Sequence, residues 1–173
     1  INGDKPQSII ENYNTKSMAL RRGILVHEVL CRCELSDPDS AILLTKQLTV
    51  KHDMPEILDD ITNHVLKIIN SSSINRVLNS KNVLREVPLT WYNSNKDKYV
   101  EGFLDLAFEE KDGWVLVDYK TDFLVSQQPL AVKTLLSRYH SQLLEYRNAA
   151  QTAGMRVKAC GVWLTSTGNL YLW

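Results

Sequence analysis

The sequence predicts an α/β protein: a mixed sheet of about five strands flanked by helices, with a helical amino-terminal region to about residue 80. Three observations predict it. Between Met54 and Asn70, apolar residues recur at helical spacing, as Ile57, Leu58, Ile61, Val65, Leu66 and Ile69. From Asn82 the texture changes to strand-forming runs, Val83 to Tyr92, Tyr99 to Glu109 and Trp114 to Lys120. A long helical stretch, Leu130 to Ala153, then separates Lys120 from a further strand at Val157 to Leu164. That is the crossover needed to lay a strand parallel beside the preceding hairpin.

The elements follow in order. Ser17 to Cys33 reads as a helix. Ser36-Asp37-Pro38 is a helix start, a capping residue followed by proline in the first turn. Ser71-Ser72-Ser73 interrupts the helical pattern. Asn93 to Asp97 is a polar hairpin loop, and Asp112-Gly113 is a two-residue hairpin signal. The stretch Val125 to Pro129, with Gln127 and Gln128, is expected as a mobile loop. Gly154 stops the long helix. Leu170 to Trp173 closes the sheet after Ser166-Thr167-Gly168.

The hairpin carries the chemistry. With Asp112 and Gly113 as the turn, Lys111 lies opposite Trp114, Asp105 faces Lys120, and Ala107 faces Asp118. Alternation puts Asp105, Ala107, Asp118 and Lys120 on one side, and Leu104, Leu106, Phe108, Val115, Val117 and Tyr119 on the other. Two adjacent carboxylates repel unless a cation lies between them. An all-oxygen site suits Mg2+ or Mn2+, and a lysine beside it can hold a water and offset phosphate charge. The plainer alternative is a cross-strand Asp–Lys ion pair on a solvated face.

Other residues widen the pattern. Gly23 and His27 are four apart on one helix face; the glycine would let another backbone approach, and the histidine can reach a metal. His27 is also open to a purely structural reading. Glu86 is an acid within the apolar strand Val83 to Leu89. Tyr139, Gln142 and Tyr146 form a polar-aromatic stripe on the long helix, suited to contacting nucleic acid or to lying half-buried in a seam. His52 and His64 have no neighbouring ligands in the sequence and read as structural.

Taken together, Gly23…His27, Glu86, Gly102…Asp105, Asp118-Tyr119-Lys120-Thr121-Asp122 and Gln142…Tyr146 occur in an ordered series. This series resembles the RecB-like (exonuclease V) family of the PD-(D/E)XK nuclease superfamily, which includes the nuclease domains of RecB and AddA helicase–nucleases. The resemblance implies a restriction-endonuclease-like core and metal-dependent cleavage of DNA. It implies metal ligation by His27, Asp105, Asp118 and the backbone carbonyl of Tyr119. Lys120 would act on the attacking water, Gln142 and Tyr146 would position Lys120 or the DNA, and Gly23, Glu86, Thr121 and Asp122 would support the site. It further implies a helicase motor as partner and a role in double-strand-break repair and recombination. The alternatives are a non-cleaving module that binds DNA ends or a protein, and a free-standing phage-type exonuclease. The complete acid–acid–lysine set weighs against the module.

Length and composition bound this reading. The 173 residues form one domain, with a helical part over residues 1–80 and an α/β catalytic core over 81–173. The first residue is Ile1 rather than methionine, which suggests an incomplete terminus or an excised domain, here one from a larger helicase–nuclease. No G-x-x-x-x-G-K-[ST] phosphate loop occurs, so a motor would lie outside this piece. Twenty basic side chains balance twenty acidic ones, which argues against tight independent DNA binding. A local lining from Lys16, Arg21, Arg22, Lys133, Arg138 and Tyr139 would serve DNA delivered by a motor. No apolar run is of transmembrane length, no signal peptide is evident, and three cysteines are too few for a disulfide framework. A soluble bacterial cytoplasmic protein is expected. Some members of the resembled family carry an iron–sulfur cluster on four cysteines; Cys31, Cys33 and Cys160 are one short, so none is expected.

Overall fold

Asp37 accepts hydrogen bonds from the amides of Asp39 and Ser40, and Pro38 takes the first helical position, so the chain turns into a helix where its capping residues stand. The computed structural model describes residues 7–93, 97–124 and 126–173. Residues 94–96 of the loop expected over 93–97, Val125 and the side chain of Lys16 lie outside the described residues. The helices are α1 (Gln7–Arg32), α2 (Pro38–Lys51), α3 (Leu58–Ile69, preceded by a 3-10 turn at Pro55–Ile57), α4 (Ile74–Leu78), α5 (Pro129–Ser137) and α6 (His140–Thr152). The strands are β1 (Val83–Asn93), β2 (Lys98–Glu110), β3 (Gly113–Lys120), β4 (Val157–Leu164) and β5 (Asn169–Leu172).

The five strands form one mixed sheet in the order β1-β2-β3-β4-β5. Only β3 and β4 run parallel, joined by the crossover through α5 and α6; the other pairs are antiparallel. Alternation along β3 sorts the core. Val115, Val117 and Tyr119 pack with Leu25, Val29, Ile61, Ile68 and Trp163 beneath α1–α3. Leu116 points the other way, with Leu143, Ala150, Val162 and Leu164 beneath α6. Asp118 and Lys120 continue that second face.

Two expectations are corrected. The stretch expected as one helix from Leu130 to Ala153 is two, broken between Ser137 and His140. Arg138 and Tyr139 donate to the carbonyls of Leu135 and Leu136, a tighter turn that ends α5 and re-aims the chain. The β2–β3 turn is Lys111-Asp112, because Glu110 pairs with Gly113. Both turn residues keep negative φ, which excludes the primed turn that an Asp-Gly pair favours; Gly113 carries φ +133° just after it. A Cβ there would lie 2.4 Å from the Arg156 carbonyl, so the glycine serves the approach of the chain entering β4.

The histidines set aside as structural have partners within the fold. His64 is buried on α3 and its Nδ1 lies 2.6 Å from Thr165 Oγ1, beyond the end of β4. His52 Nε2 is 3.0 Å from Glu28 Oε2. Cys33 and Cys160 are buried free thiols, and burial raises the Cys33 thiol to about 11, which leaves it unreactive. No helix of the described residues is long and apolar enough to cross a membrane.

Glu110 at the end of β2 is paired with Arg76 of α4 at 2.8 Å and Lys158 of β4 at 3.0 Å. The hydrogen bond from Arg76 holds its carboxyl down at about 2. A depressed folded-state value stabilises above the unfolded carboxyl's 4.5 and is lost as pH falls through about 2. Glu110→Gln should therefore cost about 0.5–1 kcal/mol at pH 7. In urea melts from pH 7 to 2, the difference from the wild type should shrink with falling pH. A constant difference would show that the pair contributes nothing.

Candidate active site

The acid pair is set by strand register. The observed pairs Leu106↔Val117 and Ala107↔Leu116, extended one step, place Asp105 opposite Asp118 rather than opposite Lys120. The register is two residues away from the expected one, and because the side-chain period is also two, both acids and the lysine stay together. Asp118 is 3% exposed and Asp105 8%. The Tyr119 amide donates to Asp105 Oδ2 at 2.6 Å, so the neighbouring strand's backbone grips the first acid.

At the same level both β1 and β2 change the face they present. Strict alternation would put Leu104 with Leu106, but Leu104 lies in the α6 cluster with Val87 and Leu89, while Leu106 lies in the α1 cluster. Arg85, paired with Leu106, reaches the α1 side and donates to the carbonyls of Cys33 at 2.6 Å and Cys31 at 3.2 Å. Between Arg85 and Val87, Glu86 has φ +52°, a conformation that non-glycine residues rarely hold. This corner explains why Leu104 departs from the expected face. It also carries Asp105 toward α1.

His27 on α1 meets it there, with Nδ1 2.9 Å from Asp105 Oδ1 and its ring edge-on to Tyr119 at 6.0 Å. Burial opposes a charge on His27, but the Asp105 hydrogen bond and the charges of both acids carry its pKa above the ordinary imidazole value. Burial likewise pushes the Asp118 carboxyl above the usual range, Lys120 pulls it back, and Asp105 pushes it further. Gly23, one turn before His27, admits no close backbone; a Cβ there would make only an ordinary 3.7 Å contact with Thr121 Oγ1. Instead Gly23 lines a groove of about 630 Å³ with Leu20, Ile24, His27, Glu86 and Thr121.

Lys120 closes the set from the α6 side. Its Nζ is 2.5 Å from Asp118 Oδ2 and donates to Gln142 Oε1 at 3.3 Å. Gln142 Nε2 in turn donates to Tyr146 Oη at 3.0 Å. Tyr146 stands edge-on to Trp91 of β1, with ring centres 5.8 Å apart, and both rings lie over Gly102. A Cβ on Gly102 would come within 3.2–3.3 Å of the two rings, so the glycine leaves room for the stack. Tyr139, at the amino-terminal cap of α6, donates its hydroxyl to Asp122 Oδ2 at 2.6 Å, and its pKa is raised by burial and by that bond.

Thus the structure brings together His27, Asp105, Asp118, Lys120, Gln142 and Tyr146, with Gly23, Glu86, Tyr119, Thr121, Asp122 and Tyr139 around them. Arg21 is exposed on α1 and does not line the groove. Arg22 is engaged with Asp60 at 2.5 Å and lies over the Phe123 ring, a structural tie between α1 and α3. Arg138 lines a separate groove with Phe123 and Leu130. Lys133 lines another with Leu136, Tyr171 and Trp173, and is not brought to the acids. Arg85 and Trp91 are positioning residues that sequence reasoning missed; their partners are more than fifty residues away along the chain, and no local spacing announces them.

Among the described residues, no three His, Cys, Asp or Glu side chains are grouped to hold a metal. The donor chemistry nevertheless fits a hard divalent cation. Asp105 and Asp118 are buried carboxylates set side by side, oxygen donors of the kind such a cation takes, with the Lys120 ammonium now 2.5 Å from Asp118 Oδ2.

Comparison with known proteins identifies the relatives of this chain. A sequence profile of the PD-(D/E)XK nuclease superfamily matches residues 7–171. An ATP-dependent helicase/nuclease subunit from Thermoanaerobacter sp. (strain X514) is 30% identical over 171 residues, covering 88% of this chain and 14% of the relative. The helicase/nuclease subunit of the same name from Bacillus mycoides (strain KBAB4) is 31% identical over 154 residues, covering 75% of this chain and 12% of its own length. That from Acetivibrio thermocellus is 34% identical over 121 residues, covering 61% and 9%. The chain therefore spans a small part of each of these relatives.

Gly102→Ala should cost about 1 kcal/mol by crowding the Trp91–Tyr146 stack, read as a lower urea midpoint. Gly23→Ala, with only an ordinary contact to make, should be neutral or stabilising by about 0.5–1 kcal/mol from helix propensity. Equal midpoints for the two variants would refute the packing role of Gly102.

Proposed function

The chain belongs to the PD-(D/E)XK nuclease superfamily, and from that premise we propose that it hydrolyses DNA phosphodiesters with Mg2+ or Mn2+, as the nuclease domain of a larger bacterial helicase–nuclease. Residues 1–173 would be one such domain, fed with DNA by a helicase motor and acting in double-strand-break repair and recombination. The supporting observation is the convergence of His27, Asp105, Asp118 and Lys120 from three elements at one end of the β2–β3 pair.

Asp105 and Asp118, with His27 and the Tyr119 carbonyl, would hold the cation. When bound, it supplies charge neutralisation at the phosphate and acidifies the attacking water. The chain's own residues do the remaining work. The Tyr119 amide fixes Asp105, so that one carboxylate oxygen is oriented by backbone rather than by a flexible side chain. Lys120 brings a positive charge to the acids, where it can orient water and offset charge building on the phosphate. Gln142 accepts from Lys120 and donates to Tyr146, so the amide cannot rotate without breaking both bonds. The groove along α1 past Gly23 and His27 offers a path for the substrate strand.

Cleavage of end-labelled linear and circular DNA with Mg2+, Mn2+ or EDTA tests this reading. Cutting should require the metal, and Asp118→Ala and Lys120→Ala should each lower it by about 10³-fold. DNA binding kept by Asp118→Ala, with no cutting by the wild type in either metal, would instead identify a binding module.

A further inference from the structure

We propose that Tyr139 is a positioning residue for Lys120, a clamp that holds the ammonium over the acid pair from outside the acid–acid–lysine set. The chemistry it serves rests on the nuclease reading; the clamp itself rests on contacts. Lys120 Nζ lies 4.7 Å from the centre of the Tyr139 ring, within the range where a cation is attracted to an aromatic face. Nζ also lies 2.5 Å from Asp118 Oδ2 and 3.3 Å from Gln142 Oε1. A lysine stem is long and flexible, and two polar partners alone leave the ammonium room to swing away from them. The ring supplies the missing wall.

The ring is itself locked. Its hydroxyl donates to Asp122 Oδ2 at 2.6 Å, and the Asp122 carbonyl accepts from Ser166 Oγ at 2.5 Å. Tyr139 is held in backbone too, donating to the Leu136 carbonyl at 3.0 Å and accepting from the Leu143 amide at 3.1 Å. Asp122 stands two residues beyond Lys120 on the same extended segment. The tyrosine is therefore tied at its hydroxyl to 122 and lies by its face on 120, so it stays with the lysine if that segment shifts. As the N-cap of α6 with near-helical backbone, φ −101° and ψ −8°, Tyr139 keeps step with Gln142, the other α6 residue that meets the ammonium.

Two measurements on the purified chain test the clamp. In carbon–proton NMR, the Lys120 ε-methylene, assigned by its loss in Lys120→Arg, should lie upfield of other lysines because of the ring current. The shift should persist in Tyr139→Phe and vanish in Tyr139→Leu. In DNA cleavage with Mg2+, Tyr139→Leu should lower kcat by about tenfold to thirtyfold, the worth of a desolvated cation–aromatic contact, with KM changed by less than about twofold. Tyr139→Phe should fall less, by about threefold, and adding Asp122→Ala to it should cost little more, since both break one bond. No upfield shift in the wild type, or a wild-type kcat in Tyr139→Leu, overturns the proposal. So does a raised KM with kcat retained, which would make Tyr139 a direct DNA contact. A wild type that shows the shift but cuts no DNA supports the clamp and overturns the nuclease reading.

Discussion

Two carboxylates buried side by side would drive each other toward protonation, and the architecture around Asp105 and Asp118 answers that constraint with positive charge and backbone dipoles. Asp105 receives the Tyr119 amide and the His27 imidazole, and Asp118 receives the Lys120 ammonium. The compensating groups come from β3 and α1, so the acids knit together β2, β3 and α1. Burial and the neighbouring Asp105 still push the Asp118 carboxyl above its usual range, so the compensation is incomplete within the protein. A hard cation is the chemistry that would complete it.

The reach across elements depends on the corner at Glu86. A flat β1–β2 pair would keep Asp105 on the α6 face beside Ala107 and out of reach of His27. The positive φ at Glu86 and the switch of faces between Leu104 and Leu106 carry the acid to the edge where both layers meet. Arg85 then holds the end of α1 through the carbonyls of Cys31 and Cys33, which sets the helix that bears His27. Strain at one residue is offset by the contacts that it permits on either side.

On the α6 layer, precision comes from packing. Gly102 leaves space for Trp91 and Tyr146, Tyr146 fixes Gln142, and Gln142 meets Lys120. A flexible lysine is thereby governed by an edge-on aromatic pair across the sheet. The polar-aromatic stripe expected along the long helix stays together: Tyr139 at the α6 cap and Gln142 both meet Lys120, and Gln142 meets Tyr146.

The sequence by itself determined the elements and their order. Periodicity separates 3.6 from 2 in segments as long as α3 and β1–β3, and capping residues such as Asp37-Pro38 and Gly154 mark their ends. It also determined that Asp118 and Lys120 share a face and that Asp105 comes up against them, because parity survives a register change of two. The chemical set His27, Glu86, Asp105, Asp118, Lys120, Gln142 and Tyr146 was legible through its order along the chain. Only the tertiary structure decided which acid faces which, since Gly113 answers to the Arg156 carbonyl and not to the turn, a contact over forty residues away. It alone decided the face of Leu104, the break before Tyr139, and the parts of Arg85 and Trp91. These are settled by backbone conformation at single residues and by partners remote in sequence, where local spacing carries no signal.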